Sequence, residues 1–530
     1  MWRNALSSLR KKLASRTSSA TAVRVDDGSP RGVCAIDGWR SWDSQPWRHP
    51  WLTAENLSSM REYSRQMRLT ARHLVEEVEA GKHKWSEVPA HKAQPTSLRF
   101  AFVGNIANNM YVRAQALKCA GIDVDIYGHP QDKFIMSYPE WEQFDDDVPD
   151  PISSIDELRR RYLTKPVPKF HVVPEVALSA GTRLPQWVRK TDYSAWQPYF
   201  SQLPTLQALR AYDCLIAVQA PYLAYLSGRP YYACHFGGDL WYECSRDDSL
   251  GSIQRRSFEH AAAILVSNPW IYAFSRRHGF VNALNLPLML DEDRYVPGEQ
   301  ECRAEWEASS GGSFFVLQTA RMDNYYKQSA IAIEGFARFV RQHPRARLVI
   351  LCWGKDEHDN RQFAEKLGVS DKCIYLPICG KRRLIRYLQS ADCLLDQFRL
   401  GYYGATAVEA LACGLPVVMR IEKAQYDAHC ETDAPPVLNA ENPEQVASQL
   451  ARLYSNETFR RSTGAASRAW FLANHGSRRW APEYRNFLIA LALGHRFDFD
   501  RSPLMQPLTE AEARYHADEL GKAPPFPNYV

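Results

Sequence analysis

No stretch of this chain stays apolar for the roughly 18–20 residues that a membrane-spanning helix needs. The two nearest candidates fail differently: "CLIAVQAPYLAYL" is broken by Gln219 and Pro221, and "FLIALAL" is too short. Charge of one sign is also scarce. The 65 Lys and Arg against 60 Asp and Glu leave a net +5, too mild to argue for a nucleic-acid partner. Twelve cysteines are present, but none forms a CxxC pair or a Cys/His cluster with zinc spacing. Several sit in predicted strands ("YDCLIAV", "LVILCWG", "ADCLLD"), the pattern of buried free thiols in a reducing compartment rather than of disulfides. There is no phosphate-binding GxxxxGK[ST] loop and no Cys/His nucleophile pair. Paired carboxylates of the kind that hydrolyse glycosides are not evident either.

What remains is the balance of an ordinary globular protein, 45% hydrophobic and 24% charged, long enough at 530 residues for two or three domains. Its 12% aromatic content supplies large cores and flat surfaces for sugar rings. Residues 1–16, "MWRNALSSLRKKLASR", place Trp2, Leu6, Leu9 and Leu13 at helical spacing among five basic residues and no acids. That pattern fits contact with a membrane surface, and equally a targeting presequence or a disordered tail. Residues 17–50 read as a linker, and residues 53–80 as a solvated helix or two.

Regular alternation begins with "LRFAFVG" at residues 98–104, a buried strand ending in glycine, followed by a predicted helix and the strand "DVDIYG". Further strand candidates are "DCLIAVQ", "YYACHFG", "AAAILVS" and "ALNLPLML". Residues 291–313 break the rhythm and read as the interdomain linker. A second set then alternates through "FFVLQTAR", "RLVILCWG", "CIYLPIC", "CLLDQF" and "PVVMRI". The expectation is an α/β protein of two doubly wound, Rossmann-like domains facing a cleft, with an extra N-terminal segment. The expected divisions are an extension at 1–95, one Rossmann-like domain at 96–295 and a second at 296–478. A helix is expected at 479–497 and a tail at 498–530.

Three side chains carry the chemical question. Glu409 is a lone carboxylate in the apolar helix "ATAVEALAC", which Gly414 and Pro416 terminate. It needs a salt-bridge partner or ligand hydroxyls, because an unpaired buried carboxylate is costly. Arg321 closes the strand "FFVLQTAR", and Lys327 follows just before a helix. A cation at a helix N-terminus opposes the dipole unless an anion is bound there as well. On spacing alone, two solvated surface cations are the favoured reading.

"TARMDNYYKQSAIAIEGFARF" together with "GATAVEALACGLPVV" resembles the family 4 retaining glycosyltransferases, which have the GT-B fold. The resemblance covers most of residues 98–490, and it implies that 96–295 is the acceptor-side domain, that 296–478 is the nucleotide-sugar-binding domain and that the helix at 479–497 crosses back to the first domain. It implies that Arg321 and Lys327 clamp the donor diphosphate and that Glu409 holds the ribose hydroxyls. Tyr403, Gly404, Ala405 and Thr406 would line the donor. Three departures stand out. The first glutamate of the family's pair falls on Gly401, so Asp396 or the backbone amides of residues 401–404 are expected to contact the donor sugar. The glycine pair after the first strand is reduced to Gly104, with Asn105 and Asn108 as polar substitutes. In "CHFGGDLW", His235 lies one position early and Phe236 takes its usual place; His235 and Asp239 remain site candidates. "FDDDVPDP" contains an Asp-x-Asp at Asp145 and Asp147, as in metal-dependent glycosyltransferases of the other common fold. Its surroundings are loop-like, so it reads as a solvated acidic turn, and no metal site is expected.

The resemblance implies a cytoplasmic enzyme, at most peripheral to a membrane. It would move a sugar from a nucleotide-diphosphate sugar to a glycan, lipid-linked or protein acceptor, with retention and without an obligatory cofactor. The alternatives are a GT-B-like scaffold that binds a nucleotide sugar without turnover, and a sugar-nucleotide epimerase.

Overall fold

The computed structural model describes residues 48–82, 98–128, 134–148, 170–172, 201–235 and 237–518. Residues 1–16, the linker "HKAQPTS", Phe236 and the last residues of the tail lie outside these.

Two seven-stranded sheets form the framework. The first comprises β1 (Phe100–Val103), β2 (Val124–Gly128), β4 (Phe170–Val172), β5 (Cys214–Ala217), β6 (Tyr231–Cys234), β7 (Ile264–Val266) and β8 (Ala283–Asn285). Its strand order is β4-β2-β1-β5-β6-β7-β8, and every pairing is parallel. Parallel strands covered by helices on both faces read as continuous apolar runs, which is why "FAFV", "CLIA" and "YYAC" are buried throughout.

The second sheet comprises β9 (Phe314–Gln318), β10 (Ala346–Cys352), β11 (Cys373–Cys379), β12 (Cys393–Leu395), β13 (Val417–Met419) and β14 (Leu438–Asn439). Its order is β14-β13-β12-β9-β10-β11-β3. The last member, β3 (Asp147–Val148), comes from the N-terminal half and pairs antiparallel with β11. The acidic run is therefore not a solvated turn. It supplies a sheet edge, with Asp145 paired to Arg386 at 3.0 Å and Asp147 to Arg383 at 2.5 Å. The cause is Val148, which is 1% exposed and ties the strand into the second sheet's core.

The helix Ser477–Ala492 packs on the first domain. Trp480, Tyr484, Phe487 and Leu488 join the β1–β8 core, and the Tyr232 hydroxyl donates to the Phe487 carbonyl at 2.8 Å. Each such buried side chain contributes about 1.5–3 kcal/mol. The region read as solvated helix is one 26-residue helix, Ala54–Glu79, with a buried stripe of Leu57, Met60, Ser64, Arg68, Ala71 and Val75. Its arginines reach both domains. Arg68 donates to the Asn285 carbonyl and pairs with Glu431, while Arg61 donates to the Cys430 carbonyl at 2.9 Å. Beyond residue 497, Arg276 holds the tail through Glu512 and the Leu504 carbonyl.

Candidate functional site

Arg321 and Lys327 flank the loop between β9 and the helix Ser329–Val340. Asp323, fully buried, organises that loop. Its carboxylate accepts from the Tyr325 and Tyr326 amides at 3.0 and 2.9 Å, and from Arg321 at 3.0 Å. Its carbonyl accepts from the amides of Lys327 and Gln328. Gln328 takes a left-handed conformation that turns the chain into the helix. The Lys327 ammonium donates to the amide oxygen of Gln397 at 2.9 Å. Burial lowers the Lys327 pKa, while the carboxylate of Asp396 pulls it the other way. Burial raises the Asp396 pKa, opposed by Lys327. Neither carboxylate oxygen of Asp396 has a hydrogen-bond partner among the described residues.

The loop 400–404 lies beside this pair. Gly401 has φ +66°, and a Cβ there would meet Glu422 Cγ at 2.8 Å. A side chain at 401 is therefore strained by the backbone and crowded by Glu422. Tyr403 is buried, and its hydroxyl meets His475 Nε2 at 3.0 Å. Gly404 precedes the helix Ala405–Ala412, provides no side-chain cap and would meet nothing within 4 Å if it bore a Cβ. Gly404, Ala405 and Thr406 are half-buried, so the first-turn amides of this helix face an open side.

Glu409 does have a salt-bridge partner. Lys381, at the start of the helix Lys381–Ser390, donates to Glu409 Oε1 at 2.6 Å, and the Tyr295 hydroxyl approaches the same oxygen at 3.4 Å. Lys381 also lies 4.1 Å from the ring centre of Trp141. Both contacts fall on Oε1, so the second oxygen keeps its acceptor capacity. The pairing was hard to find in the sequence because the partners are 28 residues apart. The available signal was a cation just ahead of the apolar-periodic run "RRLIRYLQSA", the pattern that singled out Lys327.

In the first domain, Gly104 has φ +81°, and a Cβ would lie 2.0 Å from the Val218 carbonyl oxygen, so only glycine fits. Asn105 and Asn108 are committed to the scaffold. Asn105 donates to Asn108 and to the Ser137 carbonyl and accepts from the Tyr111 amide, and Asn108 donates to the Tyr138 carbonyl and to Glu142. The two asparagines brace residues 134–142, the segment that carries Trp141 and leads to β3. Asp239 accepts from the amides of Gly237 and Leu240 at 3.0 and 2.9 Å, and so shapes its own turn. His235 follows β6. Its Nδ1 has no partner among the described residues, and its Nε2 faces the Ser267 amide at a long 3.5 Å. Burial, with the charge of Arg113 second, lowers its pKa to about 3. The two domains meet near the site, with Trp241 against Tyr326 and Trp270 against Tyr402.

Residues 303–470 match the family model described as glycosyl transferases group 1. The D-inositol 3-phosphate glycosyltransferase of Saccharomonospora viridis is 30% identical over 140 residues, 24% of this chain and 32% of that protein. The mannosylfructose-phosphate synthase of Agrobacterium fabrum is 24% identical over 165 residues, 30% of this chain and 36% of that protein. The matched part thus spans about a third of the length of these curated relatives. Among solved structures, sucrose-phosphate synthase from Thermosynechococcus elongatus superposes with a TM-score of 0.50 at 16% identity, covering 72% of this chain and 96% of that one. HepE from Anabaena, in complex with UDP and glucose, gives 0.53 at 12% identity, covering 75% and 99%. The protein has the GT-B fold, and its second domain matches the glycosyl transferases group 1 family.

Proposed function

We propose that this protein is a retaining glycosyltransferase that moves a sugar from a nucleotide-diphosphate sugar to an acceptor hydroxyl. The observation that carries the reading is the pair Arg321 and Lys327 on one loop before a helix, with the half-buried Lys327 ammonium hydrogen-bonded to a neutral amide. Two cations and the open amides of the helix Ala405–Ala412 suit a diphosphate. Glu409 Oε2 is available to ribose hydroxyls, while Lys381 neutralises the carboxylate from the other oxygen. The Anabaena relative is described as binding UDP and UDP-glucose, which makes UDP-sugars the first donors to try.

In the reaction, the bond from the anomeric carbon to the diphosphate oxygen breaks and a glycosidic bond to the acceptor oxygen forms. The acceptor proton passes to the departing phosphate, so no protein nucleophile and no cofactor is needed. Arg321 and Lys327 stabilise the charge that builds on the leaving diphosphate. Exclusion of water between the domains would favour transfer over hydrolysis.

The test is release of free nucleotide from a panel of UDP-, GDP-, ADP- and dTDP-sugars. One donor should turn over slowly without acceptor, and Lys327→Ala and Glu409→Ala should each lower the rate by on the order of 10²–10³. Release that is unchanged in both variants would sink the assignment. Gly401 favours a second reading, a scaffold that binds the donor without transferring it. Saturable donor binding with no turnover across a broad acceptor panel would select that reading.

A further inference from the structure

Five arginines are at least nine-tenths buried among the described residues. Arg68 and Arg276 each pair with a carboxylate. Arg347 is satisfied by the carbonyls of Ser310, Pro344 and Ala346, and Arg399 donates to the Tyr325 carbonyl. Arg113, 7% exposed, has no such partner. Its Nη1 faces two sulfurs, Met110 Sδ and Cys234 Sγ, each at 3.6 Å, and its Nε has no partner among the described residues. The face of Tyr484 lies 5.7 Å away. Sulfur is a weak acceptor, and a guanidinium does not give up its proton, so this is a buried charge without a counter-ion among the described residues.

Its position adds a second argument. Arg113 lies in the first turns of the 11-residue helix Asn109–Cys119. Helical side chains lean toward the N-terminus, and this one reaches back to Met110 and to Cys234, the last residue of β6. The guanidinium thus adds to the positive end of the helix dipole, at the carboxyl end of the sheet where such folds bind ligands. His235 is the next residue along the chain from Cys234. With the Ser267 amide aimed at Nε2, the imidazole proton belongs on Nδ1, so the unpartnered nitrogen is a donor. This nitrogen and the Arg113 Nε are both donors left without an acceptor among the described residues.

We infer that Arg113 and His235, at the start of the helix Asn109–Cys119, form an oxyanion subsite that holds a phosphate or carboxylate group of the acceptor. Naming the ligand as the acceptor rests on the transferase reading; the preference for an oxyanion does not. The guanidinium fork matches either group, and two parallel hydrogen bonds would fix the acceptor's orientation as well as its affinity.

The test is calorimetric titration of the full chain, first with UDP. Inorganic phosphate and acetate follow at constant ionic strength set by chloride, then glucose 6-phosphate, glucuronate and glucose. The wild type should bind at least one oxyanion saturably. It should prefer a charged sugar over glucose by tenfold or more, and the two charged sugars tell phosphate from carboxylate. Arg113→Met keeps the length and suits the sulfur and aromatic surroundings. It should abolish that preference while leaving UDP affinity within twofold, and Arg113→Lys should keep part of it. Equal affinity for charged and neutral sugars in the wild type, or an unchanged preference in Arg113→Met, overturns the subsite. Should the variants fail to fold, amide exchange of the wild type decides. Phosphate should slow residues 109–113, and no slowing overturns the proposal. Failure of UDP to bind would count against the donor reading alone, since the phosphate titration is independent of it.

Discussion

Gly401 and Glu409 show how much one residue's surroundings decide. Gly401 stands where the family pattern resembled in the sequence has a glutamate, yet its left-handed backbone and the side chain of Glu422 leave little room for one. Gly401→Glu should therefore cost about 1–2 kcal/mol for the backbone conformation alone. It should lower the thermal midpoint and leave donor turnover no higher than wild type; a stable, faster variant would contradict this. The Lys381–Glu409 pair is almost fully enclosed. Lys381→Met would leave the carboxylate without its counter-charge, a loss of about 3–5 kcal/mol measurable by denaturant unfolding. The double variant Lys381→Met/Glu409→Leu should regain much of that stability while remaining inactive.

At the scale of elements, the segment 134–148 does more than its length suggests. Trp141 is 4% exposed, donates its indole N–H to the Cys379 carbonyl at 3.0 Å and covers Lys381. Trp141→Ala should cost about 3–5 kcal/mol by the usual large-to-small measure. It should also weaken donor binding by loosening Lys381 from Glu409; donor affinity equal to wild type would show that the segment is only structural. The alternation of strands and helices was legible in the sequence because parallel strands are uniformly apolar and their helices end in glycines such as Gly414, whose φ is +69°. β3 was not legible. Two residues in an acidic run carry no periodicity, and the pairing that orders them lies more than 200 residues away. The amides of Asn105 and Asn108 looked available for the same reason: their partners are about 30 residues downstream. The helix Ala54–Glu79 read as solvated because arginines line it, and only the fold reveals that Arg61 and Arg68 end on carbonyls and carboxylates of both domains. The cation pair Arg321 and Lys327 was visible as spacing, whereas Gln397, which holds Lys327, was not.

At the scale of the whole molecule, burial sets the acid limit. Burial is the leading cause that lowers the pKa of His49, His235 and His429 to about 3, and of His278 and His475 to about 4. These groups stay neutral in the fold but take up protons below about pH 6.5 once the chain unfolds. The unfolded state then binds more protons, so stability falls as pH drops from about 6.5 toward 4. The thermal midpoint should follow that window, and His429→Phe should flatten the decline; a midpoint constant from pH 7 to 5 would refute it. A different consequence follows from the strand that one half lends to the other. Cutting the chain at residue 296 would leave β3 behind and strip the second sheet of its edge strand. An isolated second domain would expose the backbone of Ile378 and Cys379 as a template for pairing with other copies. In this chain the two halves cannot be separated at the obvious seam, because each owns part of the other.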